Sequence, residues 1–162
     1  VITRTSLDAF ALTNPALCSL VLHSFANGYA EQASSGMELA LAYLPLPFTM
    51  TSSLAATFQG TNAATGFLKW LTRSPELRLD VVDAFDETTR LTRRGLIFGL
   101  QRRILTLESG RLRADADQLL RVPREPAGAD ISRRPYTIAR RLGGWCGSIG
   151  SAKTVFTLLG IA

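Results

Sequence analysis

Residues 93–115, RRGLIFGLQRRILTLESGRLRAD, decide the fold. At 100° per residue, Arg90, Arg94 and Gln101 fall on one narrow polar stripe. Leu96, Ile97, Leu100 and Ile104 form one apolar side, and Leu91 and Phe98 form another. A helix apolar on two sides with a thin basic stripe is expected to be central, showing one edge to the outside. After it, ILTLE alternates, GRLRA alternates, and Ser109-Gly110 stands between them, which is the signal of a hairpin. Helices followed by a two-stranded ribbon have the layout of a winged helix. The expected fold is therefore mainly α: a compact helical domain with a small β-hairpin, winged-helix-like.

Upstream, Asn14-Pro15 marks a helix start, because Asn caps and Pro fits the first helical position. Leu17, Leu20, Val21, Ser24 and Phe25 then follow the spacing of one buried face. The apolar run MELALAYLPLPFTM is too short for a membrane span, which needs ~20 apolar residues, and is expected in the core. Within it Leu44-Pro45-Leu46-Pro47 should be extended or kinked, since proline removes a donor and clashes with the preceding turn. Residues 48–62 are expected to have weak structure or a short helix around 53–58, and another helix is expected over 63–72 with Asn62 as its cap. A third opens at Ser74-Pro75-Glu76 and runs over 76–85, and Thr88 or Thr89 caps the helix of the opening stretch. Downstream, residues 122–135 hold three prolines and are expected to form a loop. A helix over about 136–142 should bend or end at Gly143-Gly144. The last helix spans 152–159, capped by Ser151 and closed by Gly160.

At 162 residues the chain has room for one core, so a single domain over 1–162 is expected. The net charge of +5 is uneven. Residues 1–68 carry Arg4 against Asp8, Glu31 and Glu38, a balance of −2, whereas 17 basic and 10 acidic residues from Lys69 onward give +7. Arginine supplies most of this charge and suits bidentate contact with carboxylate or phosphate. Cys18 and Cys146 sit in apolar contexts and are expected as buried thiols, and His23, in VLHSF, as a packed core residue. The start lacks a basic region followed by an apolar run, so no signal peptide is expected and the expected location is cytoplasmic.

The stretch GSIGSAKT, residues 147–154, nearly spells a phosphate loop, but Ala152 replaces its last glycine. No strand precedes it and no long helix follows, so it reads as a turn into a capped helix. A Ser-His-Asp or Cys-His set would need His23, which lies inside an apolar helix. Asp80, Asp83, Asp86 and Glu87 read as a solvated helix face, with Arg90 in reach for pairing. No catalytic site, metal site or cofactor is expected. What remains is basic. Arg90 and Arg94 lie on the stripe, Arg102 and Arg103 end the helix, and Arg111 and Arg113 alternate to one side of the ribbon. Arg133 and Arg134 lie in the loop beyond. These eight are the candidate contacts to a partner or to a DNA backbone, since such a wing touches phosphates without reading bases.

Several short motifs come in order: Asn14-Pro15-Ala16, Leu44-Pro45-Leu46-Pro47, and Lys69-Trp70-Leu71 followed by Pro75. Thr92-Arg93-Arg94 then leads to Leu105-Thr106-Leu107. Arg141-Leu142-Gly143-Gly144-Trp145 and the closing Val155-Phe156 with Leu159-Gly160-Ile161 complete the series. Their order resembles the middle component of three-component ABC systems, including the small accessory subunit of Lamassu-type antiphage defence. The chain departs from that pattern in its Gly143-Gly144 pair and in lacking a proline after the final Gly-Ile. The resemblance implies a non-enzymatic adaptor. It would bridge an SMC-like, coiled-coil ABC ATPase of the structural-maintenance type to an effector such as a nuclease, and restrain that effector until foreign DNA is sensed. The alternative is a stand-alone winged-helix DNA-binding regulator. An adaptor should expose apolar surface beside its arginines. A DNA binder should be a soluble dimer with salt-dependent affinity for duplex.

Overall fold

The computed structural model describes residues 13–115, 125 and 130–161. Helix α1 spans Pro15–Ala30, with the Asn14 side chain accepting from the Ala16 N–H at 2.9 Å as its cap. A two-residue strand β1, Met37–Glu38, leads through a 3-10 helix, Leu39–Tyr43, into α2, Pro45–Met50. Helices α3, Ser52–Ala56, α4, Phe67–Arg73, and α5, Leu77–Gln101, follow. The hairpin strands are β2, Leu105–Glu108, and β3, Arg111–Ala114. A 3-10 turn at Ile131–Arg133 precedes α6, Pro135–Ile149, and α7, Ala152–Leu159. The mainly helical class with a small antiparallel sheet is as the sequence implied.

Among the described residues the sheet has three strands, not two, in the order β1-β3-β2, with Met37 opposite Leu112 and Leu107 opposite Leu112 on the other edge. Ser109 and Gly110 form the two-residue turn at φ 51° and 74°, the left-handed pair that matches strand twist in tight hairpins. Leu105 and Leu112 are buried, and β3 lies against α1. The hairpin is thus paired along both edges of β3 and packed down, unlike a free wing.

Three expectations are corrected. First, Pro45-Leu46-Pro47 is helical, with Leu44 as the residue before the helix: Pro45 and Pro47 occupy the first turn of α2, where a backbone N–H would have no helical partner to lose. Second, residues 77–101 form one unbroken helix. Thr88 and Thr89 do not cap it. Their hydroxyls donate back to the Ala84 and Phe85 carbonyls at 2.8 Å, a bond that threonine can make in mid-helix. Third, α6 runs straight through Gly143-Gly144. The reason is tertiary. α1 packs most extensively on α6, and the backbones touch. A Cβ on Gly143 would land on the Phe25 carbonyl oxygen, 2.9 Å from its carbon and 3.1 Å from the Tyr29 nitrogen. A Cβ on Gly28 would land on the Arg140 carbonyl oxygen, and one on Gly147 would lie 2.6 Å from the Tyr29 carbonyl oxygen.

Helix α5 also packs differently from its periodicity. Its buried residues are Leu77, Val81, Ala84, Thr88, Thr92, Gly95, Leu96 and Gly99, mostly small residues that let it lie close on α1. On its flanks Leu96 is buried and Leu91, Phe98 and Leu100 are half-buried against the core, so both expected apolar sides pack inward and Ile97 is the residue that departs. Ile97, expected in the core, is 57% exposed, and Leu79 is 79% exposed.

Beneath the helices sits an aromatic cluster of Phe48, Phe58, Phe67, Trp70 and Trp145. Phe58 stacks on Trp145 at 5.6 Å and 4°. The indole N–H of Trp70 donates to Thr57 Oγ1 and that of Trp145 to the Ala63 carbonyl, so each buried indole is satisfied. His23, Cys18 and Cys146 are buried, as expected. The Asn62 side chain accepts from the amides of Ala64 and Thr65, one turn before α4 begins. Half of the expected loop over 122–135 lies outside the described residues.

Candidate interaction surface

The eight candidate arginines lie on four supports. Arg90 and Arg94 are exposed on the outer face of α5, with Arg93 beside them. Arg102 and Arg103 end that helix. Arg102 sits 5.6 Å over the Phe98 ring, and Arg103 adopts φ 55°. Cations at a helix C-terminus are favoured by its dipole. The acidic cluster Asp80, Asp83 and Asp86 with Glu87 occupies the opposite half, so α5 is charged in the sense its dipole prefers. Arg90 makes no ion pair with Asp86 or Glu87, contrary to the spacing, while Asp80 accepts from Ser53 Oγ at 2.8 Å.

Arg111 and Arg113 project from one side of β3, as alternation requires, but both are tethered. Arg111 donates to the Gly36 carbonyl and Arg113 to the Ser34 carbonyl, each at 3.3 Å, which clamps the sheet to the loop after α1. Arg133 is exposed in the 3-10 turn, and Arg134 at the start of α6 faces Glu125 at 3.9 Å. The structure therefore gathers Arg90, Arg94, Arg102 and Arg103 along one helix, and sets the other four on separate elements.

Two hollows went unread in the sequence. One, about 300 Å³, is lined by Glu31, Gln32, Thr137, Arg140, Arg141 and Trp145. Arg140 Nε donates to Glu31 at 2.8 Å, and Arg141 donates to Thr61 Oγ1 at 3.0 Å. Burial and the neighbouring Arg134 hold the Arg141 guanidinium below its usual pKa. The other, about 380 Å³, is an open groove between Tyr43, Phe85, Thr89, Arg93, Phe156 and Ile161. Its residues come from three distant segments, so no local periodicity marks it.

The near-phosphate-loop stretch is a link between helices. Gly150 ends α6 at φ 81°, and Ser151 Oγ accepts from the Thr154 amide at 3.4 Å to start α7. The Glu38 carboxylate accepts from the Ala152 amide at 3.0 Å, so the first turn of α7 faces the chain's own carboxylate. Among the described residues no group of three or more His, Cys, Asp or Glu side chains could hold a metal ion, and no helix is long and apolar enough to cross a membrane.

A helical unit with a small sheet and a long, outward-facing charged helix is the setting in which the family comparison falls. Residues 5–162 match the family described as ABC-three component (ABC-3C) system Middle Component 3, and the chain belongs to that family. It is a middle component of a three-component ABC system. Searches of curated proteins and of solved structures return no match.

Proposed function

We propose that this chain is a non-catalytic adaptor, a single domain over 1–162 that links an SMC-like coiled-coil ABC ATPase to an effector such as a nuclease. The setting is a cytoplasmic, Lamassu-type antiphage defence complex. The observation that carries this reading is the family match over nearly the whole chain, since a middle component works among other subunits. In this reading the adaptor restrains the effector until the complex senses foreign DNA. Arg102, Arg103, Arg111, Arg113, Arg133 and Arg134 contact acidic partner surface or DNA backbone, as do Arg90 and Arg94 on α5. Arginine fits both, because its planar fork matches carboxylate and phosphate.

The second reading, a stand-alone DNA-binding regulator, draws on the exposed pair Arg111 and Arg113 on one side of β3. Co-purification separates the two. The tagged chain is expressed with the products of its neighbouring genes, treated with nuclease, and weighed by mass photometry. A stable, nuclease-resistant complex containing an ABC ATPase is expected. A chain recovered alone that shifts duplex DNA, with affinity falling steeply as salt rises, overturns the adaptor reading.

A further inference from the structure

Along the outer face of α5 stand Leu79, Asp83, Asp86, Arg90, Arg94 and Ile97, separated by four, three, four, four and three residues. All six are exposed. Among the described residues none of the four charged side chains makes an ion pair or hydrogen bond. Leu79 and Ile97 are 18 residues apart, five whole turns, so they lie on one line about 27 Å apart. The row reads apolar, acid, acid, base, base, apolar. Reversed, it places a base against every acid and an apolar side chain against each apolar one.

We propose that this face docks a second copy of the chain, with the two α5 helices antiparallel about a two-fold axis level with residue 88. A two-fold contact uses the same patch on both copies and must be self-complementary. In this register Leu79 meets Ile97 of the second copy, Asp86 meets Arg90, and Asp83 meets Arg94. The partial charges at the helix ends also oppose favourably. A parallel pairing sets acid against acid and base against base, which is disfavoured. Thr88 faces inward and is buried, so nothing bulky stands at the axis. The pairing assigns Arg90 and Arg94 to a second copy and leaves the other six arginines for other partners. It requires no ATPase, so it stands or falls on the chain alone.

The test is sedimentation velocity of the full chain across a concentration series, with a cross-linking arm. A monomer–dimer equilibrium in the micromolar range is expected, since one helix pair is a small interface. Asp86→Arg should weaken it by about tenfold or more through like-charge contact. Adding Arg90→Asp to that variant should restore it, with circular dichroism unchanged throughout. Leu79→Cys and Ile97→Cys should each stay uncrosslinked alone under mild oxidation and form a disulfide-linked dimer when mixed. The native thiols are buried and do not compete. A chain that stays monomeric at the highest attainable concentration, a dimer indifferent to the charge swap, or Leu79→Cys linking to itself overturns the proposal.

Discussion

Adjacent glycines in α6 should respond with opposite signs to the same substitution. In a helix interior, Gly→Ala gains roughly 1 kcal/mol of propensity. At Gly144 the added methyl meets only the Gly28 carbonyl oxygen at 3.5 Å, an ordinary contact. Gly144→Ala should therefore be neutral or stabilising, by up to about 1 kcal/mol. At Gly143 the methyl falls on the Phe25 carbonyl oxygen and lies 2.9 Å from its carbon, where ordinary contact begins near 3.4 Å. The obstruction is backbone in the middle of α1, so no rotamer relieves it and the two helices must separate along their most extensive contact. Overpacking of this kind costs about 1–3 kcal/mol and occasionally more. An obstruction that is backbone belongs at the upper end of that range, so with the propensity gain deducted Gly143→Ala should lose about 2 kcal/mol, or roughly 4–8 °C in Tm for a chain this size. Urea melts of both variants, followed by circular dichroism, measure this. The same sign for both, or a stabilised Gly143→Ala, would refute the backbone-contact argument.

Thr92 is fully buried with its hydroxyl unpartnered. Thr92→Val should stabilise by about 1 kcal/mol in the same melts, because an unsatisfied buried hydroxyl carries a desolvation cost. Burial pushes the Cys18 thiol up to about 11 and raises Cys146 further. Both should resist a thiol reagent at pH 8 in the native chain and react fully once it is unfolded. Burial lowers the His23 pKa, with Asp115 opposing. The unfolded chain then binds the extra proton more readily, so the His23 contribution is present above the unfolded value near 6.5 and lost as pH falls through the folded one. His23→Gln should flatten the stability profile between pH 7.5 and 5, and an unchanged slope would contradict the assignment.

Local signals in the sequence carried far. Asn14-Pro15, Ser109-Gly110, Ser151 and Gly160 each mark a boundary through chemistry confined to a few residues, and each stands where it was expected. The errors share another cause. Pro45 and Pro47 break a helix only in its interior, and here a helix begins at them. Thr88 has the chemistry of a cap, but its hydroxyl bonds its own helix. Gly143-Gly144 carries the local signal of a bend or an end, and the partner that requires Gly143, α1, lies more than a hundred residues earlier in the chain. Ile97 fits the apolar periodicity, which cannot show that α5 meets α1 through its small residues. Of the candidate surface, the arginines of α5 were legible as a stripe. The tethering of Arg111 and Arg113, and the groove beside Phe85 and Phe156, depend on contacts between distant segments.

The two tryptophans of the chain belong to one aromatic cluster, with ring centroids 5.5 Å apart and both indoles buried. At that separation they act as one chromophore, sharing excitation and contributing a coupled signal in the near ultraviolet. Intrinsic fluorescence of this protein is thus a gauge of its centre. It will follow unfolding closely and stay dark to anything that merely settles on the outer face of α5. A change in that emission when a partner is added would mean that docking either enters the hollow lined by Trp145 or shifts the core.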